Sequence, residues 1–294
     1  MTAARHIGRF APSPTGNLHF GSLLAALASC CEARAQGGRW LLRIDDIDGP
    51  RSVAGSADAI QRTLENFGFE WDGPVCWQSE RMELYQSALK ELVKQGRIFN
   101  CTCSRRSLPS GQPYPGHCRG RLSSNSQKLD FGHPEDHALR IRLSGNMNLD
   151  DAVQGSFNIT LDQDVGDTIV RRRDGLVSYS LACAVDDGHD ATQVVRGADL
   201  LESSAAQIGI MQALSLSTPS YAHLPIAVDQ NGDKLSKHSK AQSIDQLDPL
   251  STLLQAWRFL GQLSFTPESI NAFWNEAPKL WQLDSIPRQK RLTL

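Results

Sequence analysis

The sequence predicts an α/β fold in which helices cover a parallel sheet. In the first hundred residues, short apolar runs alternate with longer segments whose apolar residues recur at helical spacing. The turns after the first two apolar runs are rich in proline, glycine and acidic residues. Ligands of parallel sheets bind at the carboxyl ends of the strands, so we expect a functional site at these two turns.

The first unit is a strand, a stiff loop and a helix, within RFAPSPTGNLHFGSLLAALASCCEARAQGG. Pro12 and Pro14 fix their own φ angles and favour extended conformations before them, so the chain leaves the strand in a rigid turn. From Phe20 onward, apolar spacings of three and four predict an amphipathic helix that ends at two glycines. Its first turn can hold an anion such as phosphate, with His19 and Gly21 beside it. Alternatively, His19 is an ordinary loop histidine.

The next elements continue the alternation. Residues 39–44, RWLLRI, predict a buried strand that ends in the acidic turn DDIDGPR. Residues 56–69 predict a helix, and a second helix follows in which Ser79 is the cap and Gly96 the stop. This order of strands and helices is typical of a parallel sheet with covering helices.

Helical periodicity stops after residue 100 and resumes beyond residue 165. The residues from 101 to 165 begin with a stretch rich in Ser, Pro, Gly and Arg, and the alternating runs HALRIRL and SFNITL follow. This pattern predicts an insertion with a few antiparallel strands. The sequence therefore predicts four segments: a first core half over 1–100, an insertion over 101–165, a second core half over 166–240 and a C-terminal helical segment over 241–294.

Composition and charge narrow the function classes. The chain has 294 residues, of which 40% are hydrophobic, and no apolar run reaches the roughly 18 residues of a membrane span. The N-terminus lacks the apolar core of a secretory signal, so we expect a cytoplasmic monomer that contacts no membrane. With a net charge of −2, nucleic acid must be bound by local patches, unless these are ordinary solvated faces. The candidates are Arg105, Arg106, Arg119, Arg121 and the run 171–173.

Three of the seven cysteines form a separate cluster. An odd number of cysteines in a chain without an export signal argues against a disulfide framework. Cys101, Cys103 and Cys118 offer three thiolates, the soft ligands that zinc favours, within an insertion that lacks an obvious core. We expect one structural Zn²⁺ per chain. His117 is the generic fourth ligand, although neighbouring side chains rarely converge on one tetrahedral ion.

A lysine-bearing loop completes the set of motifs. GDKLSKHSK contains Lys234, Lys237 and Lys240, and lysines on a Gly/Ser loop commonly neutralise phosphates, although a solvated basic loop is the simpler alternative. PSPTGNLHFGS and KLSK resemble the paired ATP-binding signatures of class I aminoacyl-tRNA synthetases. Together with LLRIDDIDGPRS and VVRGADLL they resemble the glutamyl and glutaminyl branch, in order from residue 9 to about 240.

Within that branch the chain is most similar to the shortened glutamyl-Q tRNA(Asp) synthetases. Only residues 241–294 follow the lysine loop, so we expect no anticodon-binding domain. The resemblance implies the Rossmann-type catalytic core of the class I enzymes. It also implies that L-glutamate and ATP with Mg²⁺ react without tRNA to give glutamyl-adenylate and pyrophosphate. The glutamate is then transferred to the queuosine base in the anticodon of tRNA(Asp).

The resemblance also implies the site residues. His19 and Lys237 would act in catalysis, and the ATP site would comprise His19, Gly21, Ser22, Lys234 and Lys237. The glutamate site would comprise Arg9, Phe10, Ala11, Pro12, Ser13, Asp45, Tyr179 and Arg196. An arginine and a phenol suit the γ-carboxylate, and a carboxylate suits the α-ammonium. The alternatives are an arginine in a structural ion pair with an aspartate and a tyrosine that packs in the core.

Two positions depart from the family pattern. Ser22 stands where a second histidine is usual, so no imidazole acts there. Asp45 stands where the family has glutamate, so the ammonium is reached through a backbone shift or a water, or Asp46 shares the task. For the metal, the resemblance suggests Tyr114 as the fourth ligand, with His117 in reserve.

Three other functions are compatible with parts of this pattern. One is a non-catalytic relative that binds an adenylate or RNA as a regulator, although the retained phosphate-side lysines argue against it. Another is a synthetase that charges the 3′ end of tRNA(Glu). The third is a small-molecule nucleotidyltransferase, in which RFAPSPTG and RIDDID would have no purpose.

Overall fold

The computed structural model describes residues 6–104, 107–108, 112–121, 131–230, 232–233 and 243–294. The predicted phosphate-side residues Lys234 and Lys237 lie outside the described residues, as do Arg105 and Arg106.

Helices and strands alternate through most of the described chain. The helices are α1 (Phe20–Ala35), α2 (Ser56–Asn66), α3 (Met82–Lys94), α4 (Tyr179–Asp190), α5 (Leu201–Ala213), α6 (Pro249–Phe259) and α7 (Ile270–Leu280). The strands are β1 (Ile7–Phe10), β2 (Arg39–Ile44), β3 (Cys76–Trp77), β4 (Ile98–Cys101), β5 (Ala138–Ile141), β6 (Asn146–Asp151), β7 (Gly155–Thr160), β8 (Thr168–Arg171), β9 (Gln193–Gly197), β10 (Ser220–Leu224), β11 (Ile226–Val228) and β12 (Arg291–Thr293).

The core strands run parallel, as the sequence predicts. β1 pairs with β2 and β2 with β3, while β9 pairs with β10 and β10 with β6, all in parallel. The two sets meet at β1 and the start of β9, where the N–H of Thr192 donates to the carbonyl of Ile7 at 2.9 Å. The carboxyl ends of β1, β2 and β9 therefore face the same side of the molecule.

The predicted insertion is joined to the core. β4, β5 and β8 form an antiparallel sheet that takes strands from three of the four predicted segments. β6 and β7 form an antiparallel hairpin, and β6 also continues the core sheet through the pair Asp151 and Tyr221. The antiparallel strands occur where expected, but the pattern of alternation does not specify which sheet edge each strand joins.

The cap predicted for the third helix is wrong. α3 begins at Met82 after a 3₁₀ turn over Gln78–Arg81, and Ser79 lies within that turn. The N–H and Oγ of Ser79 both donate to the carboxylate of Asp46, at 2.8 and 2.7 Å. Because Asp46 binds its hydroxyl and its amide, Ser79 connects the end of β2 to the helix instead of capping it.

The C-terminal segment packs against the first helix. Trp257 of α6 is fully buried, and Nε1 of Trp281 donates to the carboxylate of Glu32 in α1 at 2.7 Å. The chain then ends in β12, a strand that the sequence pattern missed, which pairs in parallel with β11 in a two-stranded sheet. Residues 243–294 are thus part of the main core. None of the helices in the described part of the chain has the length and apolarity of a membrane span.

Candidate active site

A cavity of about 530 Å³ opens where β1, β2 and β9 end and α1 begins. It brings together residues that are far apart in the sequence. Every described residue predicted for ATP or glutamate lines this cavity: Arg9, Phe10, Ala11, Pro12, Ser13, His19, Gly21, Ser22, Asp45, Tyr179 and Arg196.

The N-terminus of α1 forms one wall. His19 is the N-cap, and its Nδ1 accepts the N–H of Ser22 at 3.3 Å, while its Nε2 lies 3.3 Å from the Ser22 hydroxyl. A Cβ at Gly21 would lie only 3.2 Å from the imidazole, so the glycine leaves room for the ring. The first turn carries no acidic residue. The positive end of the helix therefore faces the cavity and suits phosphate groups.

An aspartate of α4 holds two arginines at the base of the cavity. Arg9 donates to Asp187 from Nε and Nη2, both at 3.0 Å, and Arg43 donates from Nη1 at 2.7 Å. Burial alone would raise the pKa of Asp187, but the two guanidinium groups hold it well below its usual range. Nη1 of Arg9 makes only a long contact, 3.5 Å, to the carbonyl of Val195. The position of Arg9 is thus fixed by a buried ion pair.

Asp45 also pairs with Arg43. Arg43 donates to it from Nε at 2.6 Å and from Nη2 at 3.4 Å, and the thiol of Cys183 lies 3.6 Å from Oδ2. Burial raises the pKa of Asp45, and Arg43 opposes that shift. The weakly engaged Oδ2 can accept from an ammonium group. Asp46 does not line the cavity, because its carboxylate is bound to Ser79, so the expectation that Asp46 shares the task is wrong.

Tyr179, at the start of α4, also lines the cavity. Its hydroxyl donates to the backbone carbonyl of Asp45 at 3.0 Å, and the guanidinium of Arg51 lies 5.6 Å from its ring centre. The tyrosine is half-buried and lines the cavity, so it does more than pack in the core.

Arg196 differs from Arg9 and Arg43, the two other buried arginines that line the cavity. Its side chain donates to neutral groups: Nη2 to Ser204 Oγ at 2.6 Å and to Gln207 Oε1 at 2.8 Å. No carboxylate of a described residue forms an ion pair with it, and its Nη1 donates to no described residue. Burial lowers the pKa of Arg196. The cavity therefore contains a buried cation whose charge an anionic ligand can balance.

The sequence reasoning missed the residues that support these groups. The sequence patterns assign no role to Asp187, although two adjacent acids within LACAVDDG are themselves a signal of buried ion pairs. Arg43 in the strand RWLLRI gave the same signal. The chain carries no local pattern that connects Ser204 or Gln207 with Arg196, because the three come together only through the packing of α5 on β9.

A cluster of four side chains lies where β4 ends and the insertion begins: Cys101, Cys103, Tyr114 and Cys118. Tyr114 Oη is 3.6 Å from the sulfurs of both Cys101 and Cys103, and Cys103 Sγ is 3.7 Å from Cys118 Sγ. All three sulfurs lie within 4.8 Å of one another. A tetrahedral zinc site with Zn–S bonds of about 2.3 Å separates its sulfurs by about 3.8 Å. The spacing of these four side chains fits such a site.

His117 is outside this cluster. Its ring is exposed, and the ring centre is 6.4 Å from that of Tyr114. Burial raises the pKa of Cys118, yet hydrogen bonds from Tyr114 and the backbone lower it to about 7, which favours a thiolate. The guanidinium of Arg140 lies 4.1 Å over the Tyr114 ring. The donor set of three thiols and a phenol is therefore accompanied by a nearby positive charge.

A family model described as tRNA synthetases class I (E and Q), catalytic domain, matches residues 7–282. The glutamyl-Q tRNA(Asp) synthetase of Dechloromonas aromatica (strain RCB) is 44% identical over 303 residues, covering 98% of this chain and 97% of the relative. The protein of the same name in Escherichia coli (strain K12) is 43% identical over 293 residues, covering 98% and 92%.

A solved structure shares the fold. A glutamate tRNA ligase from Elizabethkingia meningosepticum CCUG26117, in complex with its amino acid, matches with a TM-score of 0.76 at 24% identity. The match covers 97% of this chain and 66% of that ligase. From the family model and the relatives together, this chain belongs to the glutamyl-Q tRNA(Asp) synthetase family of class I tRNA synthetases.

Proposed function

We propose that this protein activates L-glutamate with ATP in the absence of tRNA and transfers it to the queuosine base of tRNA(Asp). The observation that carries the first step is Arg196, a buried guanidinium without a carboxylate partner among the described residues, in the same cavity as the N-terminus of α1. The carboxylate side chain of a dicarboxylic amino acid matches the charge of Arg196, and the phosphates of a nucleoside triphosphate match the positive end of α1.

The adenylation needs no protein nucleophile. An oxygen of the glutamate α-carboxylate attacks the α-phosphorus of ATP, and the bond from that phosphorus to the bridging oxygen breaks to release pyrophosphate. Mg²⁺ bound with ATP neutralises phosphate charge. The chain aligns the two substrates and stabilises charge. The α1 N-terminus with His19 faces the phosphates, and Lys234 and Lys237, which lie outside the described residues, would add positive charge to them.

The glutamate is oriented by opposite charges. Asp45 accepts from the α-ammonium, and its Oδ2 is the oxygen that Arg43 engages weakly. The γ-carboxylate meets Arg196, with Nη1 of Arg9 and the backbone around Ala11 and Ser13 lining the space between. Glutamine is a poor substrate because its amide group would direct N–H donors at a guanidinium that has only donors to offer.

For the acceptor, the names of the relatives point to queuosine in tRNA(Asp). The cyclopentene-diol of that base offers hydroxyls like those of a terminal ribose. One of these hydroxyl oxygens can attack the carbonyl of the glutamyl-adenylate, which forms an ester and releases AMP and a proton. We propose that the insertion contacts the RNA backbone. Arg121 is the better candidate, because among the described residues its side chain donates only to Thr102, whereas Arg119 is paired with the carboxylate of Asp167 at 2.7 Å.

We also propose that Cys101, Cys103, Cys118 and Tyr114 hold one structural Zn²⁺. The support is the spacing of the four donors and their position in a small buried cluster beside β4. Bound zinc would cross-link the start of the insertion to the end of the antiparallel sheet. With four protein ligands, the metal has no open position for catalysis.

The adenylation is tested by ATP–pyrophosphate exchange with a panel of amino acids and no RNA. We expect glutamate to support exchange and glutamine to support less than about 1% of that rate, because the N–H groups of the glutamine amide would face the N–H groups of Arg196. Aspartate is the matched control for charge without the correct length. Exchange that glutamine supports as well as glutamate would contradict the pocket assignment.

The metal site is tested by elemental analysis of purified protein and of two cysteine variants. We expect about one zinc per chain in the wild type and in C76S, whose thiol lies outside the cluster, and much less in C103S. Chelation should lower the melting temperature of the wild type, because the metal cross-links elements that bury little core of their own. Wild-type protein with no bound zinc, purified without chelator, would eliminate the site.

The acceptor is tested with labelled glutamate and three RNAs. We expect label on tRNA(Asp) that carries queuosine and none on tRNA(Asp) without it or on tRNA(Glu). Mild alkali should release the label, as expected for an ester. Labelling of tRNA(Glu) would instead support a synthetase that charges the 3′ end.

A further inference from the structure

We propose that Asp151 and His223 are positioning residues for Arg196: they hold its guanidinium with neutral acceptors and so leave its charge to the carboxylate of the amino acid. This inference rests on the proposed glutamate site. Neither residue lines the cavity, so their effect reaches the substrate only through Arg196.

Asp151 is a buried carboxylate with a complete set of donors. His223 donates to it twice, from Nδ1 at 2.5 Å and from its backbone N–H at 3.1 Å. The backbone N–H groups of Val153 and Gln154 donate to Oδ1 at 3.0 and 2.8 Å. Burial raises the pKa of Asp151, yet these hydrogen bonds bring it below its usual value. Asp151 is therefore a fixed, charged acceptor at the end of β6.

This carboxylate selects the tautomer of His223. Nδ1 of His223 can donate to Asp151 only when Nδ1 carries the proton. Nε2 of the neutral ring is then an acceptor. Burial lowers the pKa of His223, and Asp151 only partly reverses the shift, so the ring is neutral near pH 7. Nε2 lies 3.5 Å from Nε of Arg196 and 2.7 Å from the hydroxyl of Ser204.

The imidazole is held in place by a second ring. Tyr221 stacks on His223 with the ring centres 5.8 Å apart and the planes at 4°. The same tyrosine lies 5.6 Å from the guanidinium carbon of Arg196. His223 and Arg196 are paired in the register of β10 and β9, so the sheet itself places the acceptor beside the arginine.

The result is an arginine surrounded by neutral acceptors: the His223 imidazole, the Ser204 hydroxyl and the Gln207 amide. Arg9 and Arg43 both contact the carboxylate of Asp187 instead. A carboxylate in direct contact with Arg196 would compete with that of the substrate, whereas neutral acceptors orient the guanidinium without neutralising it. The negative charge of Asp151 lies on the far side of His223 from Arg196, where it fixes the imidazole ring.

The test is D151N, assayed by glutamate-dependent pyrophosphate exchange. An amide that donates toward Nδ1 favours the other tautomer, whose Nε2–H faces the donors of Arg196. We expect KM for glutamate to rise about tenfold or more, kcat to change less than about threefold, and the preference for glutamate over glutamine to fall. D150N is the matched control, because Asp150 is exposed on the same strand and binds only Asn148 and Ser156 among the described residues.

Ring nitrogen ¹⁵N shifts give a readout that does not depend on activity. The signal of His223, identified by its loss in H223Q, should show a proton on Nδ1 in the wild type and on Nε2 in D151N. If D151N does not fold, H223Q and H223N decide. Glutamine is long enough to keep an oxygen acceptor near Arg196 and asparagine is not, so KM for glutamate should be lower in H223Q.

Two results would overturn the proposal without touching the proposed function. One is a folded D151N with wild-type KM and wild-type preference; the other is equal KM in H223Q and H223N. Wild-type protein that shows no glutamate-dependent exchange would instead overturn the proposed function and, with it, this role of the two residues.

Discussion

The shared carboxylate of Asp187 is the interaction on which the site depends. It joins the middle of α4 to the end of β1 through Arg9 and to β2 through Arg43, with no solvent access to either oxygen. Removing one member of such a buried group typically costs about 3–5 kcal/mol, because the remaining charges are left without partners. The positions of two cavity walls, β1 and β2, are therefore coupled to one side chain of the helix.

The same interaction determines which charges are left for a ligand. Asp187 satisfies Arg9 on two nitrogens, and Asp45 takes the remaining edge of Arg43. Arg196, on the next strand, receives only neutral acceptors from described residues. A single cavity thus contains a pair of arginines held by a buried carboxylate, which maintains its shape, and one arginine with no carboxylate in direct contact among the described residues, which we propose binds the carboxylate of the substrate. The α1 N-terminus lines the same cavity and adds a second group that suits anions.

Local periodicity was sufficient to predict the parallel sheet and the strand, loop and helix that open the chain. The predicted residues that line the cavity came from the resemblance to the synthetase family, carried by motifs of a few residues. The supporting layer could not be predicted in this way. Asp151, His223 and Gln207 come from three elements that meet only in the fold, and the β12 strand forms because the end of the chain folds back beside β11. The wrong cap at Ser79 has the same origin, since its partner Asp46 is distant in sequence.

The central claim is that the uncompensated charge of Arg196 recognises the side-chain carboxylate of glutamate. Equilibrium binding of glutamate and glutamine to wild-type protein and to R196M, without ATP or RNA, tests it most directly. R258M, which removes an exposed arginine on α6, is the control. We predict that R196M loses at least about tenfold in affinity for glutamate and no longer prefers it to glutamine, while R258M behaves as wild type. Unchanged affinity and preference in a folded R196M would contradict the account.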